Sequence, residues 1–140
     1  MNIYLYLMKM ISDIGNRICI IGFSCSGKST LAFNLSKKLH LPVLFLDAIA
    51  HVPHTNWEVR DRLLLKKEHD LFIKNNEQWI IEGNYSFLMP DRFNNADIII
   101  GLDYMNIKSI LRYFKRCALK KMIDQENQKA YSMNLIGSIL

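Results

Sequence analysis

Cysteine is scarce in this chain. The three residues, Cys19, Cys25 and Cys117, are scattered and match neither a disulfide framework nor a zinc spacing. That usage suits a reducing cytosol, and a cytoplasmic protein is the expectation. Long apolar runs are also missing. The most apolar segment, Met1 to Ile11, carries Lys9 as its only charge and is too short to span a bilayer. It has neither the basic start nor the small-residue cleavage site of a signal peptide. No stable membrane insertion is therefore expected. We read residues 1–16 as a peripheral N-terminal extension, with Met8 and Met10 as alternative starts, and residues 17–140 as one domain. There is no internal repeat, no low-complexity tract, and no recognised helix-turn-helix or zinc module. The N-K-x-D motif by which GTPase families read guanine is absent as well, which disfavours GTP. His51 and His54 lack a Cys or carboxylate partner at metal-binding spacing and read as ordinary loop histidines.

Charge of one sign is locally short too. Residues 1–40 carry five basic groups and one acidic, residues 41–105 carry six and ten, and residues 106–140 carry seven and two. The basic C-terminal part is where polyanion contacts are to be sought.

Against these absences stands Gly22-Phe23-Ser24-Cys25-Ser26-Gly27-Lys28-Ser29-Thr30. It fits G-x-x-x-x-G-K-[ST], the phosphate-cradling P-loop. Gly22 and Gly27 permit backbone conformations that a Cβ obstructs. The loop can then turn its amides inward onto phosphate oxygens. Lys28 supplies a mobile charge for the β- and γ-phosphates, and Ser29 a hydroxyl for Mg²⁺. Cys25 reads either as a reactive thiol or simply as a small residue at a free position. Arg17 to Ile21 precedes the motif as a β-branched run suited to a buried parallel strand. Leu31, Leu35 and Leu39, with Ala32, follow it as a helix face that Pro42 stops. Strand, glycine loop and helix together aim a helix N-terminus at an anion.

Further apolar runs alternate with helical patterns, as in an α/β domain with a parallel sheet. A second strand is expected at Val43–Leu46, ending at Asp47, followed by a looser segment from Ala48 to Asn56. A helix is expected over Trp57–Asn75, with Leu64, Leu71 and Phe72 among its apolar positions. A third strand is Trp79–Ile81, ending at Glu82-Gly83, and a fourth is Asp97–Leu102, with Asp103 at its end. The last clear helix covers Asn106 to Met122, with Arg112 and Arg116 on its basic side.

Ligands of open α/β sheets sit at the carboxyl ends of the strands. Glu82, on the strand expected beside the P-loop strand, can orient Mg²⁺. Asp47 can take a proton from an acceptor hydroxyl or hold the acceptor. Asp103 reads as a helix cap. Arg112 and Arg116, one turn apart, can both face transferring phosphates, and they read equally as a solvated helix face; Arg92 is a weaker choice. Asn84-Tyr85-Ser86 is formally a glycosylation acceptor, without meaning in a cytosolic protein.

From about Arg17 to Lys121 the chain resembles the P-loop family of DNA-topology-modulation proteins, a branch close to adenylate and shikimate kinases. The likeness rests on the P-loop with Ser29-Thr30-Leu31, on Leu46-Asp47-Ala48, on Trp79-Ile80-Ile81-Glu82-Gly83-Asn84-Tyr85-Ser86, and on Ala96-Asp97-Ile98-Ile99-Ile100 leading to Leu102-Asp103. The resemblance implies a three-layer α/β/α P-loop fold and places Glu82-Gly83 where nucleoside monophosphate kinases carry Asp-Gly, on the magnesium side. The family usually has Asp at position 82. It also carries Trp where this chain has His51, and a Pro-Gly-Trp where Pro53 and Trp57 stand apart. Relatives continue with a further strand and helix that residues 124–140 do not clearly supply, so a parallel sheet of about four strands lacking the last is expected. The implied function is that of a Mg²⁺-dependent, ATP-binding small kinase acting on a small-molecule acceptor that the sequence does not identify. The alternatives are a nucleotide-responsive DNA regulator using the basic helix, and an ATP binder that catalyses nothing.

Overall fold

Four short apolar runs pair side by side, all parallel, in a computed structural model that describes residues 9, 11 and 13–103. They are β1 (Arg17–Gly22), β2 (Val43–Phe45), β3 (Trp79–Glu82) and β4 (Ile98–Leu102), in the spatial order β2-β3-β1-β4. Helix α1 (Lys28–Leu39) joins β1 to β2. Helices α2 (Leu46–Ile49) and α3 (Arg62–Asn75) lead to β3, and a 3₁₀ turn (Ser86–Leu88) with α4 (Met89–Asn95) leads to β4. The chain divides into Met1–Tyr104 and Met105–Leu140. The second unit, with Arg112, Arg116 and the expected helix over 106–122, lies outside the described residues.

Strand alternation assigns the side chains to two cores. Ile18 and Ile20 of β1 and Ile80 of β3 pack with Ala32 and Leu35 of α1, as the spacing of the helix face predicts. Cys19, Trp79 and Ile81 point the other way, onto Leu46, Ala50, Leu65 and Leu88. The sheet is thus covered on both faces. Each large apolar side chain so buried contributes roughly 1.5–3 kcal/mol. Ile11, only 1 % exposed, joins the first cluster, so the expectation of a peripheral N-terminal segment does not hold at that residue.

Three boundaries differ from expectation. β2 ends at Phe45, because Leu46 turns into the second core and opens α2 with Asp47 in its first turn. The helix expected from Trp57 begins at Arg62. Asp61 caps it, its carboxylate accepting from the Leu63 amide at 2.7 Å. The preceding residues fold back on themselves through a His51–Val59 bridge, with left-handed backbone at His54 and Trp57 that no helix tolerates. Of the apolar positions named for this helix, Phe72 packs against the second core and Leu64 and Leu71 are exposed, while Leu65 and His69 are buried. β4 starts one residue late, at Ile98, because the Asp97 carboxylate is held by Arg17 through its backbone amide and its guanidinium.

Candidate functional site

Residues 22–30 run from the last residue of β1, through the connection 23–27, into the first turn of α1. The Phe23 amide donates to the Leu102 carbonyl at 3.3 Å, and the Ser26 amide to the Phe23 carbonyl at 3.2 Å. Cys25 and Gly27 take left-handed backbone, with φ of 61° and 95°. Gly27 is the N-cap of α1 and offers no side chain to the first turn. The first amide to find a helical acceptor is that of Leu31, on the Gly27 carbonyl at 2.9 Å. The positive end of α1 is therefore left without a cap. A Cβ at Gly27 would meet nothing within 4 Å. Ser26 Oγ is buried here without a hydrogen-bond partner.

Lys28 Nζ rests inside the loop, donating to the Phe23 carbonyl at 2.8 Å. Ser29 Oγ donates to Glu82 Oε2 at 3.3 Å. The register explains that meeting. Glu82 lies opposite Ile20 of β1 and Phe45 of β2, and alternation points it to the α1 face, where the first turn of α1 begins. Glu82 is buried. Burial pushes its carboxyl above the ordinary range; the Asp47 charge acts the same way, while Lys28, the Ser29 hydrogen bond and Arg92 pull it down.

Asp47 comes to the same place from α2. Its Oδ1 accepts from the Tyr85 hydroxyl at 2.9 Å, and its backbone carbonyl lies 3.1 Å from His51 Nδ1. Burial, together with the Asp47 carboxylate, raises the Tyr85 phenol and keeps it protonated. Ser24, Lys28, Asp47, Gly83, Asn84 and Tyr85 enclose a cleft of about 260 Å³. The fold thus brings together Ser24, Lys28, Ser29, Asp47 and Glu82. Phe23 and Thr30, at other positions of the loop, are exposed.

Sequence reasoning missed two members. Asn84 grips Gly22 twice, Oδ1 accepting from its amide at 3.0 Å and Nδ2 donating to its carbonyl at 2.5 Å. This clamp ties the end of β3 to the start of the glycine loop. Tyr85 orients Asp47. In the sequence Asn84 and Tyr85 figured in a glycosylation pattern and at the end of the Trp79–Ser86 motif, neither of which records partners 62 and 38 positions away. Arg92 is not available to neutralise phosphates, because it is fully buried and donates to the Gly83 carbonyl at 2.6 Å.

The two described cysteines differ in chemistry. Cys19 is buried in β1, and burial pushes its thiol up to about 11 despite the charge of Arg92. Cys25 lies half-buried in the glycine loop. Iodoacetamide at pH 8 is expected to label Cys25 while Cys19 stays unmodified until the protein unfolds, as peptide mass mapping would read out. Equal labelling of the native protein at both would contradict the burial of Cys19.

Among the described residues no helix is long and apolar enough to cross a membrane. No protein-family model matches the chain, and no curated protein matches it.

Proposed function

We propose that residues 22–30 bind ATP with Mg²⁺ and that the protein moves the γ-phosphate to a small hydroxyl acceptor, as a small kinase. The observation that carries this reading is the convergence at the uncapped start of α1. Lys28, Ser29 and Glu82 meet there, Glu82 coming from a strand 53 positions after Ser29. Uncapped amides at a helix N-terminus favour phosphate oxygens. The donor set also fits Mg²⁺. This ion takes hard oxygen ligands and commonly only one or two from protein, the rest coming from water and phosphates. Ser29 Oγ and Glu82 supply that number, and among the described residues no larger His, Cys, Asp or Glu group converges. When bound, Mg²⁺ would neutralise charge on the β- and γ-phosphates. Lys28 would leave the Phe23 carbonyl for a phosphate oxygen. Asp47 faces the acceptor side of the cleft in this reading.

The test separates the two carboxylates. Titration calorimetry with ATP is expected to show Mg²⁺-dependent affinity falling about tenfold or more in Glu82→Gln, while Asp47→Asn binds ATP nearly as the wild type does. Loss of ATP binding in Asp47→Asn with none in Glu82→Gln would reverse the assignment.

A further inference from the structure

Arg92 is fully buried on α4. Taking a guanidinium out of water is costly unless hydrogen bonds offset the loss. Here one side-chain bond does so. Nη2 donates to the Gly83 carbonyl at 2.6 Å, while Nε and Nη1 are buried without a partner. An apolar side chain of similar volume would fill the same space without that cost. A local rule broken at one residue marks a functional or strained place, and the contacts of Arg92 say which. We propose that Arg92 is a positioning residue for the glycine loop: it fixes the Gly83 carbonyl and, through Asn84, holds Gly22 and the loop that leaves it.

The linkage is short. The Gly83 amide donates to the Ile20 carbonyl of β1 at 3.1 Å, and the Gly83 carbonyl accepts from Arg92. The residue is thus held on both sides. It also lies close against α2, where a Cβ would stand 2.9 Å from Leu46 Cβ, so it has no room to retreat that way. The carbonyl that Arg92 grips belongs to the same planar peptide as the Asn84 nitrogen. Fixing one end fixes the direction in which Asn84 sets out. Asn84 then accepts from the Gly22 amide at 3.0 Å and donates to the Gly22 carbonyl at 2.5 Å. Turning the 83–84 peptide would swing that side chain off Gly22.

The base of the linkage is anchored to the same strand. Cys19 Sγ, in β1, donates to the Arg92 carbonyl at 3.8 Å. Arg92 therefore closes a ring of contacts from β1, through α4 and Gly83, to Asn84 and back to Gly22 at the end of β1. Packing alone would need no such ring.

The loop carries its own reporter in Cys25, and Cys19 reports on the core beside Arg92. The experiment measures iodoacetamide labelling of both cysteines in the native full chain, with ATP affinity by calorimetry on the same preparations. Its ATP readout rests on the phosphate-site reading; its labelling readout does not. Arg92→Met, similar in length and without donors, is expected to label several-fold faster at Cys25 while Cys19 stays protected. It should also bind ATP about tenfold more weakly, as for a lost hydrogen bond to a charged group. Arg92→Lys, which keeps a charged donor, should recover part of both. Asn84→Ala, at an exposed position, should speed Cys25 to the same extent. The double variant should be no faster than either single one, because both cut one linkage. Faster labelling of both cysteines together would make Arg92 a packing residue and overturns the proposal. So does a wild-type Cys25 rate in Arg92→Met or in Asn84→Ala, or additive effects in the double variant. If Arg92→Met does not fold, Arg92→Lys combined with Asn84→Ala decides additivity in its place. A wild type that binds no ATP removes the phosphate-site reading alone, and labelling still decides the linkage.

Discussion

Replacing Lys28 by alanine is expected to weaken ATP binding at least tenfold while leaving the fold intact. A charge-assisted contact of this kind is worth roughly 1.5–3 kcal/mol, and each 1.4 kcal/mol is about a factor of ten in affinity. Among the described residues the side chain has one hydrogen-bond partner to lose, the Phe23 carbonyl at 2.8 Å on the exposed loop, and its charge acts on the buried Glu82 carboxylate. Removing it should therefore change thermal stability little beyond that charge interaction. Calorimetry and a melting curve on the same preparations check both halves. Equal ATP affinity in the two proteins would refute residues 22–30 as the phosphate site. A large drop in melting temperature would instead give Lys28 a structural role.

Gly22→Ala should be the most destabilising change in the loop. Gly22 closes β1 with φ of 146°, a conformation L side chains rarely adopt, and a Cβ there would lie 2.3 Å from the Leu102 backbone carbonyl. Backbone strain of this type costs about 1–3 kcal/mol, and forced overpacking about 1–3 more. That is a large share of a typical domain stability of roughly 5–15 kcal/mol. Nor can the residue shift freely, since Asn84 holds both its amide and its carbonyl. Gly27→Ala is the control. It has φ of 95° but nothing within 4 Å of the added carbon, so only the strain remains. Urea unfolding should rank Gly22→Ala well below Gly27→Ala. Gly27→Ala should instead register in ATP affinity, because the left-handed backbone that a side chain disfavours there shapes the loop at the start of α1. Equal unfolding midpoints would show that β4 can retreat from β1.

The contrast between Glu82 and Asn84 shows where sequence reasoning reaches its end. Glu82 was readable because a carboxylate following β-branched residues at a strand end has a known address in a parallel sheet. The pairing of β3 with β1 then brings it to Ser29. Two residues on, Asn84 and Tyr85 act through single side-chain contacts to Gly22 and Asp47. No periodicity records such contacts, because they depend on how two connections approach one another. The α3 helix teaches the same lesson about packing. Its apolar residues were legible, but Leu64 and Leu71 face outward while His69 is buried. Composition states how much of a helix is apolar, and only the neighbouring layer decides which side turns in.

The sequence by itself determined the strand–loop–helix unit of residues 17–39, the parallel α/β sheet, and the strand-end position of Glu82. These follow from local steric preference and from patterns of two and about 3.6 residues, which act within a few positions. Tertiary structure alone decided the turn at Leu46, the start of α3 at Arg62, the burial of Arg92 beneath Gly83, and the meeting of Tyr85 with Asp47. Each of those depends on groups far apart in the chain competing for the same buried space or the same hydrogen-bond partner, and that competition is settled only when the layers close.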